Sequence, residues 1–451
     1  MAVAANDVDV LIVGGGAAGL TASILLSELG VTTLLVERHS GTSHLPKAHI
    51  LNQRTMEIFD QCGVADRVYE LGSPLEFMRR VAWYTSFDGP TPLHGRELAH
   101  RDSWGGGADQ DRYAVASRFR STNLPQMRLE PILRDRAEQL AEGQVRFGHE
   151  LIALAQDKGA VTATINGGGE TYEVSASYAI GADGGRTVGN ILGVSMEGQR
   201  ELVDMVSTHI TADLPGRGID PSVSIFWFIN PDAKGSIGSG VLVKMGGTGW
   251  GPNADEWVYT FSTAPGDPAD FGPEYIIERA RQTTGIADLK VEPHRISRWR
   301  LESVVAERFQ EDRVFLAGDA AHRHPPTGGL GLNTAVQDVH NLAWKLAAVI
   351  HDRADPRLLD TYGAERRPVA ERNAEQSLNS FFQHGELDDA IGLTPETSPE
   401  QGWAAIEAVV DETPESDQIR KRLAVAVDRK RLEFSAHNIE IGYSYTEGAF
   451  V

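Results

Sequence analysis

Three glycines spaced Gly14-x-Gly16-x-x-Gly19, with Glu37 placed 18 residues after the last of them, are the first residues whose spacing implies chemistry. Glycine at these positions permits a tight turn and lets a pyrophosphate approach the backbone at a helix N-terminus. Unpaired N–H groups and the helix dipole favour negative charge at that end. Glu37 is placed to accept hydrogen bonds from an adenosine ribose. Arg38 beside it suits a 2′-phosphate instead, so the motif leaves FAD and a nicotinamide dinucleotide both open.

A second group lies in "VFLAGDAAHRHPPTGGLGLNTAVQDVHNLAWK", from Val314 to Lys345. Asp319 ends an apolar strand, where a carboxylate at the carboxyl end of a sheet meets polyhydroxy ligands such as a ribityl chain. Gly328, Gly329 and Gly331 leave room above the N-terminus of a helix predicted to begin near Leu332. A reduced isoalloxazine carries negative charge near N1 and the C2 carbonyl, and a helix N-terminus stabilises it. This second group therefore decides for a flavin. His322 and His324 sit beside prolines with no Cys or Glu partner, so they read as hydrogen-bonded loop residues, and no metal is expected.

These groups need rigid elements beneath them. "VDVLIVGGGAAGLTASILLSELGVTTLLVERH" reads as strand, turn, helix and second strand, one βαβ unit with Gly30 at the helix C-terminus. "NQRTMEIFDQCG", "RLEPILRDRAEQLAEG" and "PEYIIERARQTTG" carry apolar residues at spacings of three and four, the pattern of helices. From about Tyr172 to Phe261 the texture changes. "VSASYAIGAD", "VSIFWFIN", "GVLVKMGG" and "EWVYTFS" are rich in β-branched and aromatic residues, as an antiparallel sheet requires. Strand alternation puts Phe226 and Phe228 on one face and Trp227 on the other, and all three are candidate substrate contacts. After Ala335 the chain turns helical, then polar.

A chain of 451 residues with 41% hydrophobic content builds more than one core. Its 63 acidic residues against 42 basic ones leave a formal charge of −21, which repels phosphate backbones and anionic headgroups. Nucleic acid and membrane surfaces are excluded on that ground as expected partners, while a homo-oligomer is left open. The single cysteine, Cys62, reads as a core thiol. The absence of a basic leader and of any membrane-length apolar run at the start leads to the expectation of a cytoplasmic protein.

"GGGAAG" at Gly14–Gly19, "GADGG" at Gly181–Gly185 and "GDAAHRHPPTGGLGLN" at Gly318–Asn333 together resemble the flavoprotein aromatic hydroxylases of the p-hydroxybenzoate hydroxylase type, the group A FAD monooxygenases. "LPKAHILNQRTMEIF", "LEPILRDRA" and "RHPPTGGLG" are most similar to the 2,4-dichlorophenol 6-monooxygenase branch. The resemblance implies that Gly14, Gly16, Ala18 and Gly19 hold the pyrophosphate and that Glu37 with Arg38 holds the adenosine. Gln126 and Asp319 would hold the ribityl region, and Asp183 would serve both flavin and nicotinamide. Pro325 would lie beside flavin and substrate as a catalytic-site residue with Asp319, while Gly331, Leu332 and Asn333 would line the pyrimidine edge. Lys47, a further cofactor contact by the resemblance, stands where relatives carry Arg, Thr187 where they carry Ser, and Asn190 where they carry Arg.

The fold implied is an α/β FAD-binding Rossmann-like domain of the glutathione-reductase type, with an inserted antiparallel-sheet substrate domain and a helical C-terminal extension. The expected bounds are 1–80, 112–190 and 300–375 for the flavin domain, 81–111 and 191–299 for the substrate domain, and 376–451 for the extension, with no thioredoxin-like third domain. The activity implied is NAD(P)H-dependent hydroxylation of a phenolic ring by O₂ through a flavin C4a-hydroperoxide, ortho to an existing hydroxyl. NADPH and NADH are not distinguished. An FAD oxidase or dehydrogenase, a plain nicotinamide dehydrogenase and a non-enzymatic flavin-fold carrier are the alternatives.

Overall fold

The computed structural model describes residues 7–141, 144–214, 218–233, 238–264 and 266–450; the outermost residues of the expected flavin domain and extension, 1–6 and 451, lie outside them. Val8–Val13 is apolar at every position but Asp9 and almost wholly buried, as a strand with both faces covered must be. It pairs in parallel with Thr33–Glu37 on one side and Glu170–Gly181 on the other. Val145–Phe147 and Val314–Leu316 extend the parallel run outward. The helix Ala17–Glu28 packs against both Gln126–Leu140 and Leu330–Ile350.

Register brings the three glycine motifs together. Val13 is level with Gly181, and Gly181 with Leu316, so the "GGGAAG", "GADGG" and "GDAAH" segments leave the sheet side by side at its carboxyl end. Ligands of open α/β sheets bind at that end.

The second sheet runs in the order His322–Arg323, Val291–Ala306, Met196–Ala212, Glu256–Thr263, Val241–Gly246, Val223–Phe228, Arg80–Tyr84, Glu97–Asp102. One face packs on the helix Pro273–Thr284, burying Phe226, Phe228, Trp257 and Tyr259 with Ile276 and Ala280. The other face packs Trp83, Ile225 and Val243 against Leu387, Ile406 and Leu423 of the C-terminal helices.

Three expectations need correction. The "VSASYAIGAD" strand is not part of the middle sheet: Glu170–Gly181 lies in the first sheet, parallel to Val8–Val13 and antiparallel to Val161–Gly167. Residues 300–306, assigned to the flavin domain, complete the strand Val291–Ala306 of the second sheet. That strand crosses between cores, since Val305 and Ala306 are buried with the first sheet. The boundary at 375 falls inside the helix Thr361–Phe382. Among the described residues no helix is long and apolar enough to cross a membrane.

Candidate active site

The first turn is built to let something approach its backbone. Gly14 has φ +113°, and a Cβ there would collide with the Ala182 carbonyl, while a Cβ at Gly19 would collide with the carbonyl of Gly14. Gly16, at the N-cap of Ala17–Glu28, has room: the nearest atom to a Cβ would be Glu130 Oε1 at 3.6 Å. That helix has no side-chain cap, so its first amides are left for a ligand. Ala18 is buried within the turn and also approaches Gly318.

Glu37 ends the second strand and folds back over the turn. Its Oε2 accepts from the Gly15 amide at 2.8 Å and its Oε1 from the His39 amide at 2.8 Å. The remaining lone pairs stay open to ribose hydroxyls. Arg38 is exposed, with Nε donating to His39 at 3.3 Å. Lys47 is exposed, in a left-handed conformation at φ +43°, and has no side-chain partner among the described residues.

Gln126 begins its helix, with Nε2 donating to Glu130 Oε1 at 2.5 Å. Glu130, only 2% exposed, also accepts from the Ser43 amide at 2.7 Å. It thereby ties the start of its helix to the 43–48 loop close to Gly16, and sequence reasoning missed it. The available signal was an acid on the buried stripe formed by Leu129, Leu133 and Ala137.

Asp183 has its carboxylate occupied at home. It accepts from the amides of Gly185 at 3.0 Å, Thr187 at 2.7 Å and Val188 at 3.0 Å, which is the work of a turn residue. Its place beside Gly14 still puts the "GADGG" backbone at the cofactor end of the sheet.

The third motif stands on buried ions. Asp338, on the helix Leu330–Ile350, accepts from the Gly318 amide at 3.2 Å, from His322 Nε2 at 2.7 Å and from Arg366 Nε at 2.9 Å. Burial works against the Asp338 carboxylate, but His322 and Arg366 outweigh it and hold the group below its usual range. Tyr362 adds a hydrogen bond from its hydroxyl to the Leu316 carbonyl at 2.7 Å. With Gly318 so anchored at φ +59°, the Asp319 carboxylate is exposed and has no partner among the described residues. His324 stacks on His322 at 4.7 Å, and burial drives its ionisation well below the ordinary histidine range.

Gly328 and Gly329, at φ +85° and +63°, turn the chain into the helix, which begins at Leu330. A Cβ at Gly331 would meet open space, and Leu332 is half-buried. Asn333 is buried and fully engaged: Nδ2 donates to the carbonyls of Ile50 at 2.9 Å and Gly329 at 2.6 Å, and Oδ1 accepts from the Asn52 amide at 3.0 Å. It straps the strand Ile50–Leu51 to the helix N-terminus. Pro325 is buried, whereas Pro326 is exposed.

Ile50 belongs to the same apolar layer as Trp83, Trp104, Ile225 and Met245, with Trp227 packed against it. Trp227 lies 3.9 Å from the His384 ring. Phe226 and Phe228 are on the far face, fully buried beneath the helix Pro273–Thr284 and away from Ile50, because strand alternation sends them into the other core.

These residues fit a flavin dinucleotide: glycines where a Cβ would block approach, uncapped amides, an acid at the second strand and a free carboxylate within the third motif. The family model described as an FAD binding domain matches residues 7–377. The chain belongs to this family of flavoprotein aromatic hydroxylases. The hydroxylase is 35% identical to a 2,4-dichlorophenol 6-monooxygenase of Delftia acidovorans, over 99% of this chain and 75% of that one. It is 32% identical to a phenol 2-monooxygenase of Pseudomonas sp. (strain EST1001), over 99% and 70%. Among solved structures it resembles the flavin-dependent monooxygenase PieE in complex with FAD and substrate, with TM-score 0.91, 38% identity, 99% of this chain and 76% of that one. It also resembles aklavinone-11 hydroxylase with FAD and aklavinone, with TM-score 0.72, 32% identity, 85% and 70%. The hydroxylase is thus an FAD-dependent monooxygenase of aromatic rings that consumes NAD(P)H, as its motifs implied.

Proposed function

We propose that this hydroxylase inserts one oxygen atom into a substituted phenol, ortho to the existing hydroxyl. The observation that carries the reading is the meeting of two surfaces. The helix N-terminus at Gly329–Asn333 is strapped to Ile50, and Ile50 belongs to the buried layer of Trp83, Trp104 and Met245 against which Trp227 packs. A planar ring held between them would be shielded from water and set against the flavin edge. Relatives named as phenol and dichlorophenol monooxygenases support the same substrate class.

The chain's own residues have distinct tasks in this reading. Gly14, Gly16, Ala18 and Gly19 admit the pyrophosphate; Glu37 and Arg38 hold adenosine; Gln126 and Asp319 hold the ribityl region; Lys47 is a further flavin contact; and the amides at Gly331, Leu332 and Asn333 face the pyrimidine. The "GADGG" backbone around Asp183 borders the same edge. Pro325 fixes the loop below the substrate, and of the three central aromatics only Trp227 lines it. When bound, FAD accepts hydride from NAD(P)H and activates O₂. The ring indoles exclude water while this happens. The partners in this reading are the phenol, O₂ and NAD(P)H, with a homo-oligomer left open and the cytoplasm as the compartment, and the charge of −21 disfavours nucleic acid and anionic membrane surfaces.

The test is labelled oxygen gas with a panel of phenols and hydroxylated quinone-like rings. The label should enter the ring product with one NAD(P)H consumed per oxygen inserted. If NAD(P)H is oxidised and the label appears only in hydrogen peroxide, the oxidase reading replaces this one.

A further inference from the structure

An indole N–H can only donate a hydrogen bond, while a neutral imidazole donates with one nitrogen and accepts with the other. Buried groups of this kind normally find a partner in the protein or in a bound molecule. The layer around Ile50 departs from that rule. The Nε1 atoms of Trp83, Trp104 and Trp227 are buried there without a hydrogen-bond partner among the described residues, and so is Nδ1 of His384, whose ring lies on Trp227.

The other side of the His384 ring is fixed. Nε2 faces the buried Glu433 carboxylate at 3.2 Å, and Glu433 is paired in turn with the buried Lys430, whose ammonium also donates to the Ser380 carbonyl at 2.6 Å. A carboxylate on Nε2 selects the tautomer with its hydrogen there and leaves the lone pair on Nδ1. Burial, with the Lys430 ammonium beside it, pushes the ionisation of His384 below the ordinary histidine range against the pull of Glu433. The imidazole therefore stays neutral, and Nδ1 is a free acceptor.

The stack thus carries one free donor and one free acceptor side by side. The Trp227 and His384 rings are 3.9 Å apart and 32° from parallel, and rings so close can share one hydroxyl oxygen at ordinary hydrogen-bond length. Short steps join this stack to the flavin end. A Cβ at Gly328, just before the helix Leu330–Ile350, would lie 3.7 Å from the Glu433 carbonyl. Phe434, next in the chain, sets its ring against Trp83 and Trp104 with centroids at 6.1 and 5.8 Å, and Trp83 is level with Trp227 on the neighbouring strand. A ring whose reacting carbon meets the flavin edge has its far side towards Trp227 and His384.

Resting on the hydroxylase reading above, we propose that Trp227 and His384 are a specificity-determining pair that takes a second hydroxyl on the aromatic substrate, with the indole Nε1–H donating to its oxygen and the imidazole Nδ1 accepting from its O–H. The preferred substrate class is then a dihydroxylated arene, not a phenol with one polar group. A methyl ether at that position accepts from the indole but leaves Nδ1 unpaired. A methyl group leaves both unpaired, and unpaired buried polar groups are what a site of this kind rejects most strongly.

The test uses the FAD-loaded full chain and reads affinity without turnover, by equilibrium dialysis or by the change in flavin absorbance on titration. The ligands are resorcinol, hydroquinone and a dihydroxynaphthalene, each beside its monomethyl ether and its methyl analogue. The wild type should bind at least one diol about 10-fold or more tighter than the matching ether. His384→Gln places its amide at the Nε2 position, keeps a donor for Glu433 and deletes the Nδ1 acceptor, so the diol-to-ether ratio should fall to within about 3-fold of unity. His384→Asn, with an amide oxygen at the Nδ1 position, should retain the preference. Trp227→Phe deletes the indole donor and should cut the diol-to-methyl ratio by about 10-fold. If His384→Gln fails to hold FAD, Trp227→Phe on the intact His384 decides by itself. No preference for any diol in the wild type, or a preference that survives both substitutions, overturns the pair and leaves its nitrogens to bound water. If the wild type prefers diols as expected but labelled oxygen enters no ring, the hydroxylase reading falls while the pair stands as a binding site.

Discussion

The Gly15 amide donates to Oε2 of Glu37 at 2.8 Å, so the acid that ends the second strand also clamps the glycine turn that begins the first helix. One carboxylate thus fixes the shape of the glycine turn and, in the proposed site, would offer its free lone pairs to the ribose. Glu37→Ala should weaken FAD binding by ~1–3 kcal/mol, roughly 5–150-fold, because both the ribose contact and the turn clamp are lost. Equilibrium dialysis or flavin fluorescence on the refilled apoprotein measures this. Unchanged affinity would make Glu37 a turn residue only.

Asp319 is exposed beside a rigidly anchored glycine, since Gly318 is held by the buried Asp338 carboxylate. Its role should therefore be separable from folding. Asp319→Ala should keep the wild-type melting temperature while flavin affinity falls by ~1–3 kcal/mol and more NAD(P)H is spent on hydrogen peroxide. Peroxide yield per NAD(P)H, with flavin saturating, is the decisive number. Wild-type coupling and affinity together would remove Asp319 from the site.

Glu440 lies 3% exposed, accepting from the Tyr113 hydroxyl at 3.1 Å, and burial raises its pKa from 4.5 to about 7. The folded state therefore holds this proton more tightly than the unfolded chain does. Stability from this group is complete below pH 4.5 and is lost as pH rises through about 7. Glu440→Gln stays neutral throughout, so its stability relative to the wild type should rise by up to ~3 kcal/mol across that window. Melting curves of both proteins between about pH 5 and 8 test it. A difference that stays flat with pH means Glu440 is not protonated in the fold.

What the sequence alone made legible was local chemistry. The glycine turn and the helix after Gly329 are each formed by residues within a few positions of one another, so spacing reveals them. Asp338 was invisible as a partner of Gly318 and His322, because only the docking of one long helix brings it under the preceding strand. Glu130 escaped for the same reason: it meets Ser43 from a separate segment. The boundary expected at 299 failed because Val291–Ala306 begins exposed and mixed in polarity and ends buried, so no composition shift marks one strand as one element. Alternation placed Phe226 and Phe228 opposite Trp227 correctly. Which face meets the flavin side was beyond local reading, since it depends on whether residues 273–284 or the C-terminal helices cover it.

That contrast between adjacent residues of one strand yields the last prediction. Phe226 is fully buried among Tyr84, Phe87 and Trp257, with ring centroids at 5.8, 5.1 and 6.1 Å. Phe226→Ala should leave a cavity in the far core and cost ~3–5 kcal/mol of stability, while coupling and phenol affinity in the remaining folded protein stay near wild type. Trp227 is half-buried on the layer shared with Ile50, beside His384. Trp227→Ala should cost less stability but lower the ratio of hydroxylated product to NAD(P)H consumed and shift preference towards bulkier rings, because water enters and the layer opens. Melting temperature and product-to-NAD(P)H ratio, measured on both variants with small and large phenols, separate the two faces. If Phe226→Ala changes substrate preference and Trp227→Ala does not, the substrate lies on the other face of the sheet, and the placement of the ring against Ile50 is wrong.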